Sequence, residues 1–236
     1  MEGSLKSEIQ AVLFDLDGTL LDTSEDFVHT LNTMLREDNY QPLPAEVIRA
    51  NVSNGSRGLI TLGYGLQPNE PGFDTLRNRL LVNYETHTAN PQRKKPAVLF
   101  EGIEPLLAAI EARGLPWGIV TNKPRPLTLP LLDQLGLSER CSVLVCPDDV
   151  KKSKPDPESL WQASDILSCD PSTCVYIGDH ERDIQAGHSA GMVTVTALYG
   201  FIAPEDDPDT WQADYNTESP QGLLEWLDEC DWNLPG

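Results

Sequence analysis

The sequence predicts an α/β fold, a doubly wound parallel sheet interrupted by an all-helical insert. Three observations lead to this prediction. Largely apolar runs of five or six residues recur along the chain. Segments with helical spacing of apolar residues separate most of these runs. The stretch of residues 22–97 carries helical patterns and no convincing strand.

The apolar runs are the predicted strands. The first, Ile9 to Phe14, is apolar at nearly every position. This pattern is typical of a strand that is buried on both faces, as in a parallel sheet. Four later runs share it: residues 117–121, 142–146, 173–178 and 192–197.

Helical patterns lie between the later runs. One begins at Ile103 and ends at Gly114, a residue suited to a helix C-terminus. Another covers residues 156–161 and has Pro157 near its first turn, where a missing N–H costs nothing. Strands and helices that alternate from about residue 98 to residue 197 predict a doubly wound sheet.

The insert shows helical patterns at residues 26–36, 44–51 and 73–85. It closes with residues 90–96, a polar segment bounded by prolines that is suited to a hinge or linker. We therefore predict two domains. Residues 1–21 and 98–236 form the α/β core, and residues 22–97 form a helical cap.

Composition excludes several classes of protein. The chain of 236 residues has 17 Lys and Arg against 37 Asp and Glu, a net charge of −20. Such a field repels phosphate backbones and anionic lipids, which argues against nucleic-acid or membrane binding. No apolar run reaches the roughly 18–20 residues of a membrane span. Residues 1–10 lack a basic segment followed by an apolar one, so we expect a cytoplasmic protein.

Polar side chains follow the predicted strands where a parallel sheet presents its carboxyl edge, the usual ligand crevice. Taken singly, each has a plain explanation. Asp-Gly favours turns, Asp and Thr cap helices, and a lysine is usually solvated. Their occurrence in order after successive strands favours a shared site instead. The residues are Asp15, Asp17, Thr121, Asn122, Lys154, Asp179 and Asp183.

This set suits phosphoryl transfer through an aspartyl-phosphate. A carboxylate that attacks a phosphate dianion faces repulsion, which Mg²⁺ held by oxygen ligands reduces. Lys154 and the Thr121 hydroxyl can neutralise charge on the other phosphate oxygens. Asp17, two residues beyond Asp15, can protonate the leaving alkoxide and then take a proton from water.

The segments Asp15-Leu16-Asp17-Gly18-Thr19, Thr121-Asn122, Lys154-Pro155 and Gly178-Asp179 with Asp183 resemble the four motifs of the haloacid dehalogenase (HAD) superfamily of phosphatases. The resemblance implies a Rossmann-like core with Asp15 as nucleophile and Asp17 as general acid and base. It implies phosphate binding by Thr121, Asn122 and Lys154. It also implies Mg²⁺ on Asp15, the Asp17 carbonyl and Asp179, with Asp183 either a ligand or a residue that contacts the ligands. The dehalogenases of this superfamily lack the second aspartate, so its presence here favours phosphate chemistry.

The insert resembles the helical C1 cap of the phosphoglycolate phosphatase-like branch. Such a lid excludes water and contacts the leaving group. Residues 51–58 form a polar break between helical patterns, and there we expect Arg57, Asn54 and Ser56 to contact the substrate. The alternatives are a surface arginine and helix-capping side chains. His180 faces either the site entrance or solvent.

Further segments are similar to the N-acetylmuramic acid 6-phosphate phosphatases of peptidoglycan recycling. They include residues 120–124, 146–158 and 199–206. The resemblance implies a small phosphorylated sugar acid as substrate. The alternatives are 2-phosphoglycolate, a phosphomutase of the β-phosphoglucomutase type and a non-catalytic phospho-acceptor. The sequence leaves the oligomeric state open between monomer and dimer.

Overall fold

The computed structural model describes residues 9–90 and 92–229. Most of the N-terminal segment that was considered for an export signal, residues 1–8, therefore lies outside the description. The strands are β1 (Ala11–Phe14), β2 (Leu21–Asp22), β3 (Val98–Leu99), β4 (Trp117–Val120), β5 (Val143–Val145), β6 (Cys174–Gly178), β7 (Val193–Ala197) and β8 (Tyr215–Thr217). The helices are α1 (Ser24–Glu37), α2 (Ala45–Arg49), α3 (Gly55–Tyr64), α4 (Phe73–Thr88), α5 (Ile103–Ala112), α6 (Arg125–Gln134), α7 (Glu158–Leu167), α8 (Glu181–Ala190) and α9 (Pro220–Glu229). None of these helices is both long enough and apolar enough to cross a bilayer.

Six strands form one parallel sheet in the order β5-β4-β1-β6-β7-β8. The five predicted apolar runs are β1, β4, β5, β6 and β7. The chain leaves β1 towards β4 and β5 on one side and later reaches β6, β7 and β8 on the other, which is a doubly wound topology. The sequence analysis did not identify β8, because Tyr215 and Asn216 at this sheet edge are only half buried and form no apolar run.

Helices cover both faces of the sheet, which is why its central strands are apolar throughout. Val12 and Phe14 of β1 pack on one face, in a core shared with α5, α6 and α9. Ala11 and Leu13 pack on the other face, against α7 and α8. Alternate residues of a strand point to opposite faces, so a strand buried on both sides needs apolar residues at consecutive positions.

The helices α1 to α4, here called the helical insert, have a hydrophobic core of their own. In α1, Phe27, Leu31 and Leu35 recur at intervals of four residues and are buried on one side of the helix. Leu127 of α6 and Phe201 also belong to this core. The insert therefore packs on the rest of the chain as well as within itself.

The two chain segments that join the insert to the sheet domain run side by side. β2 and β3 pair antiparallel, with Leu21 opposite Leu99 and Asp22 opposite Val98. The predicted domain limit at residues 21/22 falls within β2, and the limit at residues 97/98 directly precedes β3. The sequence analysis placed no strand here because two-residue strands have no detectable pattern.

Two local predictions differ from the structure. The polar break at residues 51–58 is a short 3₁₀ turn at Val52–Asn54 followed by α3, which begins at Gly55. Gly55 has a φ of 65°, and this left-handed conformation lets the chain change direction without a loop. The predicted linker at residues 90–96 is anchored, because the buried Arg93 donates to Asp26 of α1 at 3.1 Å.

Candidate active site

The site lies at the carboxyl edge of the sheet. Asp15 follows β1, Thr121 follows β4 and Asp179 follows β6, so three adjacent parallel strands end at one place. Lys154 comes from the loop between β5 and α7, and Asp183 from the first turn of α8. The structure thus brings together segments that are far apart along the chain.

Lys154 joins two of the carboxylates. Its side chain is buried, and Nζ lies 3.0 Å from Asp15 Oδ1 and 2.7 Å from Asp183 Oδ1. Nζ also lies 2.6 Å from the Tyr176 hydroxyl and 2.9 Å from the Val120 carbonyl. Burial lowers the pKa of Lys154, but the two carboxylates outweigh it and the net pKa is raised. The ammonium therefore keeps its proton.

Asp15, Asp179 and Asp183 form a compact acidic cluster. One carboxylate oxygen from each lies within 4.8 Å of the others. Burial raises the pKa of Asp179 to about 8, with Asp15 and Asp183 adding to the effect. Burial likewise raises the pKa of Asp15 to about 6 although Lys154 opposes it. Three crowded carboxylates with one ammonium leave an excess of negative charge.

Two atoms of this cluster fit a metal site. Asp179 Oδ1 and Asp183 Oδ2 are buried and have no hydrogen-bond partner among the described residues. A buried acceptor without a partner is costly, and a cation would satisfy both oxygens. Hard oxygen ligands of this kind suit Mg²⁺.

The loop after β1 approaches Asp179 so closely that only glycine fits at one of its positions. Gly18 has a φ of 87°, and a Cβ there would lie 1.9 Å from Asp179 Oδ2. Gly178 is also too close to Asp183 for a side chain, since its Cβ would lie 2.4 Å from the Cβ of that residue. The glycines of both motifs thus allow the carboxylates to approach the strand ends.

Lys123 is a site residue to which the sequence analysis assigned no role. Its Nζ lies 2.9 Å from Asp17 Oδ1, and the Thr23 hydroxyl donates to the same oxygen at 2.6 Å. Burial lowers the pKa of Lys123, but Asp17 and Tyr84 outweigh it and the net pKa is raised. The rings of Phe27 and Tyr84 lie 4.9 and 4.4 Å from Nζ. These aromatic residues come from α1 and α4, and this contact between distant elements has no signal in the local sequence.

Thr121 and Asn122 stand beside Lys154. The Thr121 hydroxyl is buried and accepts a hydrogen bond from the Lys123 N–H at 3.1 Å. The Asn122 amide donates to the Lys154 carbonyl at 2.9 Å. Both residues line the cavity, and Asn122 in addition holds the loop that carries Lys154.

The helical insert contacts the acidic cluster directly. The Ser53 hydroxyl donates to Asp179 Oδ2 at 2.7 Å, and the Phe201 N–H donates to the same oxygen at 2.8 Å. His180 Nε2 lies 3.2 Å from Asn54 Oδ1, while its Nδ1 accepts from the Arg182 N–H at 3.2 Å. Burial, with Arg182 nearby, lowers the pKa of His180 to about 4. The ring is therefore neutral, and Nε2 donates to Asn54.

A cavity of about 100 Å³ lies between the insert and the sheet edge. Ser56 lines it, and its hydroxyl accepts from Arg77 Nε at 3.1 Å. Arg57, predicted to contact the substrate, is exposed and lines a separate surface groove with Asn54. Because successive residues of a helix point in different directions, Ser56 faces the cavity and Arg57 does not. The prediction for Arg57 therefore has no support in this arrangement.

The family model described as haloacid dehalogenase-like hydrolase matches residues 12–197. This chain belongs to that family. The matched range includes every strand-end residue of the site.

Two curated relatives align with this haloacid dehalogenase-like hydrolase along nearly its whole length. N-acetylmuramic acid 6-phosphate phosphatase of Pseudomonas aeruginosa is 43% identical over 96% of this chain and 99% of the relative. Phosphoglycolate phosphatase of Xanthomonas campestris is 41% identical over 92% of this chain and 95% of the relative. A crystal structure of a predicted phosphoglycolate phosphatase from Haemophilus somnus superimposes with a TM-score of 0.79 at 22% identity. It covers 94% of this chain and 99% of that one, and it shows the shared fold.

The predictions of the haloacid dehalogenase family, of the fold class and of a phosphatase are confirmed by these matches. The structure places Asp15, Asp17, Thr121, Asn122, Lys154 and Asp183 along one cavity, with Asp179 adjoining them in the acidic cluster. The roles of the individual residues, the domain limits and the cytoplasmic location stay predictions. Lys123, Arg77 and Arg182 also line the cavity, and the sequence analysis assigned none of them a role.

Proposed function

We propose that the protein hydrolyses N-acetylmuramic acid 6-phosphate in a Mg²⁺-dependent reaction that proceeds through a phosphorylated Asp15. The observation that carries this proposal is the convergence of two carboxylates on the Lys154 ammonium, with Asp15 at 3.0 Å and Asp183 at 2.7 Å. This substrate is proposed because the N-acetylmuramic acid 6-phosphate phosphatases of Pseudomonas aeruginosa and Pseudomonas putida are 43% and 42% identical to this chain.

In the first half-reaction, an Asp15 carboxylate oxygen bonds to phosphorus and the bond between phosphorus and the sugar oxygen breaks. Asp17 gives its proton to the leaving alkoxide. In the second half-reaction, Asp17 takes a proton from water, whose oxygen bonds to phosphorus as the bond to Asp15 breaks. Inorganic phosphate leaves and Asp15 is regenerated.

Charge at the phosphate is balanced by residues around the nucleophile. Lys154, with its pKa raised, is a fixed positive charge beside Asp15. The buried Thr121 hydroxyl and the Asn122 amide would contact the phosphoryl oxygens. Lys123 and Thr23 hold the Asp17 carboxylate in one orientation.

Asp15, Asp179 and Asp183 would hold Mg²⁺, with the Asp17 backbone carbonyl as a further ligand. When bound, the ion neutralises phosphate charge and so lowers the repulsion that the attacking carboxylate meets. The unpartnered oxygens of Asp179 and Asp183 support this assignment.

We also propose that the helical insert, residues 22–97, acts as a cap. Ser53, Asn54 and Ser56 bring it onto the site through contacts with Asp179, His180 and the cavity. A cap in this position excludes bulk water while the phosphoryl group is transferred to Asp15, and it then admits the water molecule that hydrolyses the intermediate.

A second candidate substrate is 2-phosphoglycolate, because the phosphoglycolate phosphatase of Xanthomonas campestris is 41% identical to this chain. Purified protein with Mg²⁺ would be assayed for phosphate release from both esters. We expect kcat/KM for the sugar-acid phosphate to exceed that for 2-phosphoglycolate at least about tenfold, a difference of about 1.4 kcal/mol. The reverse order would move the assignment to the second ester, and turnover of neither would reject both.

The nucleophile is tested by Asp15→Asn, a nearly isosteric change. We expect kcat to fall at least about a thousandfold while the circular dichroism spectrum is unchanged. Turnover above a trace would contradict the covalent mechanism. Phosphate release without an added sugar bisphosphate separates a phosphatase from a phosphomutase, and a stable phosphorylated Asp15 would indicate a phospho-acceptor.

A further inference from the structure

Two cations of the cavity have no carboxylate partner. Four cationic side chains and three carboxylates line the cavity. Lys154 is paired with Asp15 and Asp183, and Lys123 with Asp17. The other two cations, Arg77 and Arg182, make no ion pair with any residue that the structure describes. In a chain with a net charge of −20, two uncompensated guanidinium groups at one cavity indicate an anionic ligand.

Arg77 differs in this respect from its neighbour on the same helix. Arg79, two residues further along α4, donates to Asp38 at 2.9 Å and to Glu37 at 3.1 Å. Those contacts join α4 to the end of α1. Arg77 projects from a different side of α4 and lines the cavity together with Leu81, one turn later. The helix thus uses one arginine to hold the insert together and presents the other to the cavity.

The Arg77 guanidinium is oriented but only partly used. Its Nε donates to the Ser56 hydroxyl at 3.1 Å, and its two terminal nitrogens have no hydrogen-bond partner among the described residues. Apolar side chains of Val52, Phe27 and Leu81 line the same cavity. An ion pair formed beside such side chains is stronger than one in water.

We propose that Arg77 binds the carboxylate of the substrate and is thereby a specificity-determining residue for phosphomonoesters that carry one. This inference rests on the proposed phosphatase function. The phosphate end of the cavity already has Lys154 and Thr121, so a second anion is needed to match Arg77. The two terminal nitrogens of a guanidinium fit the two oxygens of a carboxylate.

Arg182 is the weaker candidate for this contact. Its Nε lies 3.3 Å from His180 Nδ1, and it is adjacent in the chain to Asp183 of the acidic cluster. Its position is therefore on the sheet side of the cavity, near the phosphate. Arg77 stands on the insert side, where the leaving group would extend.

The test uses two pairs of esters in which one member carries a carboxylate and the other does not. N-acetylmuramic acid 6-phosphate is compared with N-acetylglucosamine 6-phosphate, and 2-phosphoglycolate with ethyl phosphate. We expect the wild type to favour the carboxylate-bearing member of at least one pair. The ratio to be measured is kcat/KM for the ester with the carboxylate divided by kcat/KM for the ester without it. Arg77→Gln should lower this ratio about 10- to 100-fold, mainly by raising KM for the ester with the carboxylate. A change of that size is expected when one charge-assisted hydrogen bond is lost.

Three further variants make the result specific. Arg57→Gln, one residue after Ser56 but outside the cavity, should leave the ratio unchanged. Arg77→Lys should keep part of the preference, because lysine retains the positive charge but lacks the two terminal nitrogens that bind both carboxylate oxygens. Ser56→Ala removes the orienting hydroxyl, so it should lower the ratio severalfold, and it tests the contact even if Arg77→Gln does not fold.

Several outcomes would overturn the inference. The wild type could show no preference in either pair, or Arg77→Gln could keep the preference. Loss of preference in Arg182→Gln together with its retention in Arg77→Gln would assign the contact to Arg182 instead. In each case the protein would still be a phosphatase. Failure to release phosphate from any ester, p-nitrophenyl phosphate included, would reject the proposed function itself.

Discussion

At the scale of single residues, the site contains ion pairs whose two members are both largely buried. Lys123 and Asp17 illustrate this, because the lysine side chain is 4% exposed and the aspartate side chain 15% exposed. The ammonium also lies against two aromatic rings of the insert. Removing one partner of such a pair leaves the other charge desolvated without compensation.

We therefore expect Lys123→Met to destabilise the protein by about 3 kcal/mol, because Asp17 would be left as an unpaired buried carboxylate. Urea denaturation would measure the free energy of unfolding. Lys152→Met is the matched control, since Lys152 is 73% exposed and lies 3.4 Å from Asp156. That exposed pair should contribute less than about 1 kcal/mol. Equal effects of the two substitutions would show that the Lys123–Asp17 pair does not stabilise the fold.

At the scale of elements, α1 and α4 are joined by polar groups as well as by their shared core. The buried Asp26 of α1 accepts from Arg93 and lies 3.0 Å from His87 Nε2 of α4. The rings of His87 and His29 stack with centroids 4.1 Å apart. Burial, with His29 nearby, lowers the pKa of His87 although Asp26 opposes the shift. The contact between α1 and α4 therefore includes a histidine, His87, whose neutral form is favoured in the folded state.

This arrangement predicts a loss of stability in mild acid. The pKa of His87 is lower in the folded state than its unfolded value of about 6.5, so the unfolded chain binds the proton first as the pH falls. The contribution of His87 to stability is complete above about pH 6.5 and decreases below it.

His87→Gln keeps a donor for Asp26 and removes this titration. We expect the drop in Tm between about pH 7.5 and about pH 5.5 to be smaller in the variant than in the wild type. Calorimetric scans at the two pH values would measure it. An identical drop in both proteins would assign the acid sensitivity to other groups.

At the scale of the whole molecule, the sheet concentrates negative charge at one edge. Asp15, Asp179 and Asp183 meet there because parallel strands end at the same side, and Lys154 balances only part of their charge. A ligand that binds the folded state alone stabilises it by mass action. Cation binding should thus be visible as stability even without substrate.

We expect Mg²⁺ to raise the Tm of the wild type. An ion present at about a hundred times its Kd adds about 2.7 kcal/mol, which for a chain of this length is a shift of roughly 5–10 °C. A chelator should reverse the shift, and Asp183→Asn should reduce it. A Tm that does not respond to Mg²⁺ or to the chelator would count against the metal site, whatever the activity.

The sequence predicted the site residues that follow the strands of the sheet. Asp15, Thr121 and Asp179 each follow an apolar run directly, and parallel strands bring such positions together without further information. The side that the insert supplies was not predictable in the same way. Ser56 and Arg57 are neighbours in the chain, yet only Ser56 lines the cavity. The rotation and packing of α3 decide which of the two side chains faces the cavity, and the local residue pattern predicts neither.

The sequence by itself determined the fold class, the family and which polar residues stand at the strand ends, because apolar periodicity and strand-end motifs are local properties. Only the tertiary structure decided that Lys123 pairs with Asp17, that Ser53 reaches Asp179 and that Arg77 enters the cavity. Each of these contacts joins the insert or a neighbouring loop to the sheet edge. Their existence depends on how two separately packed hydrophobic cores are placed against each other, which is a property of the whole chain.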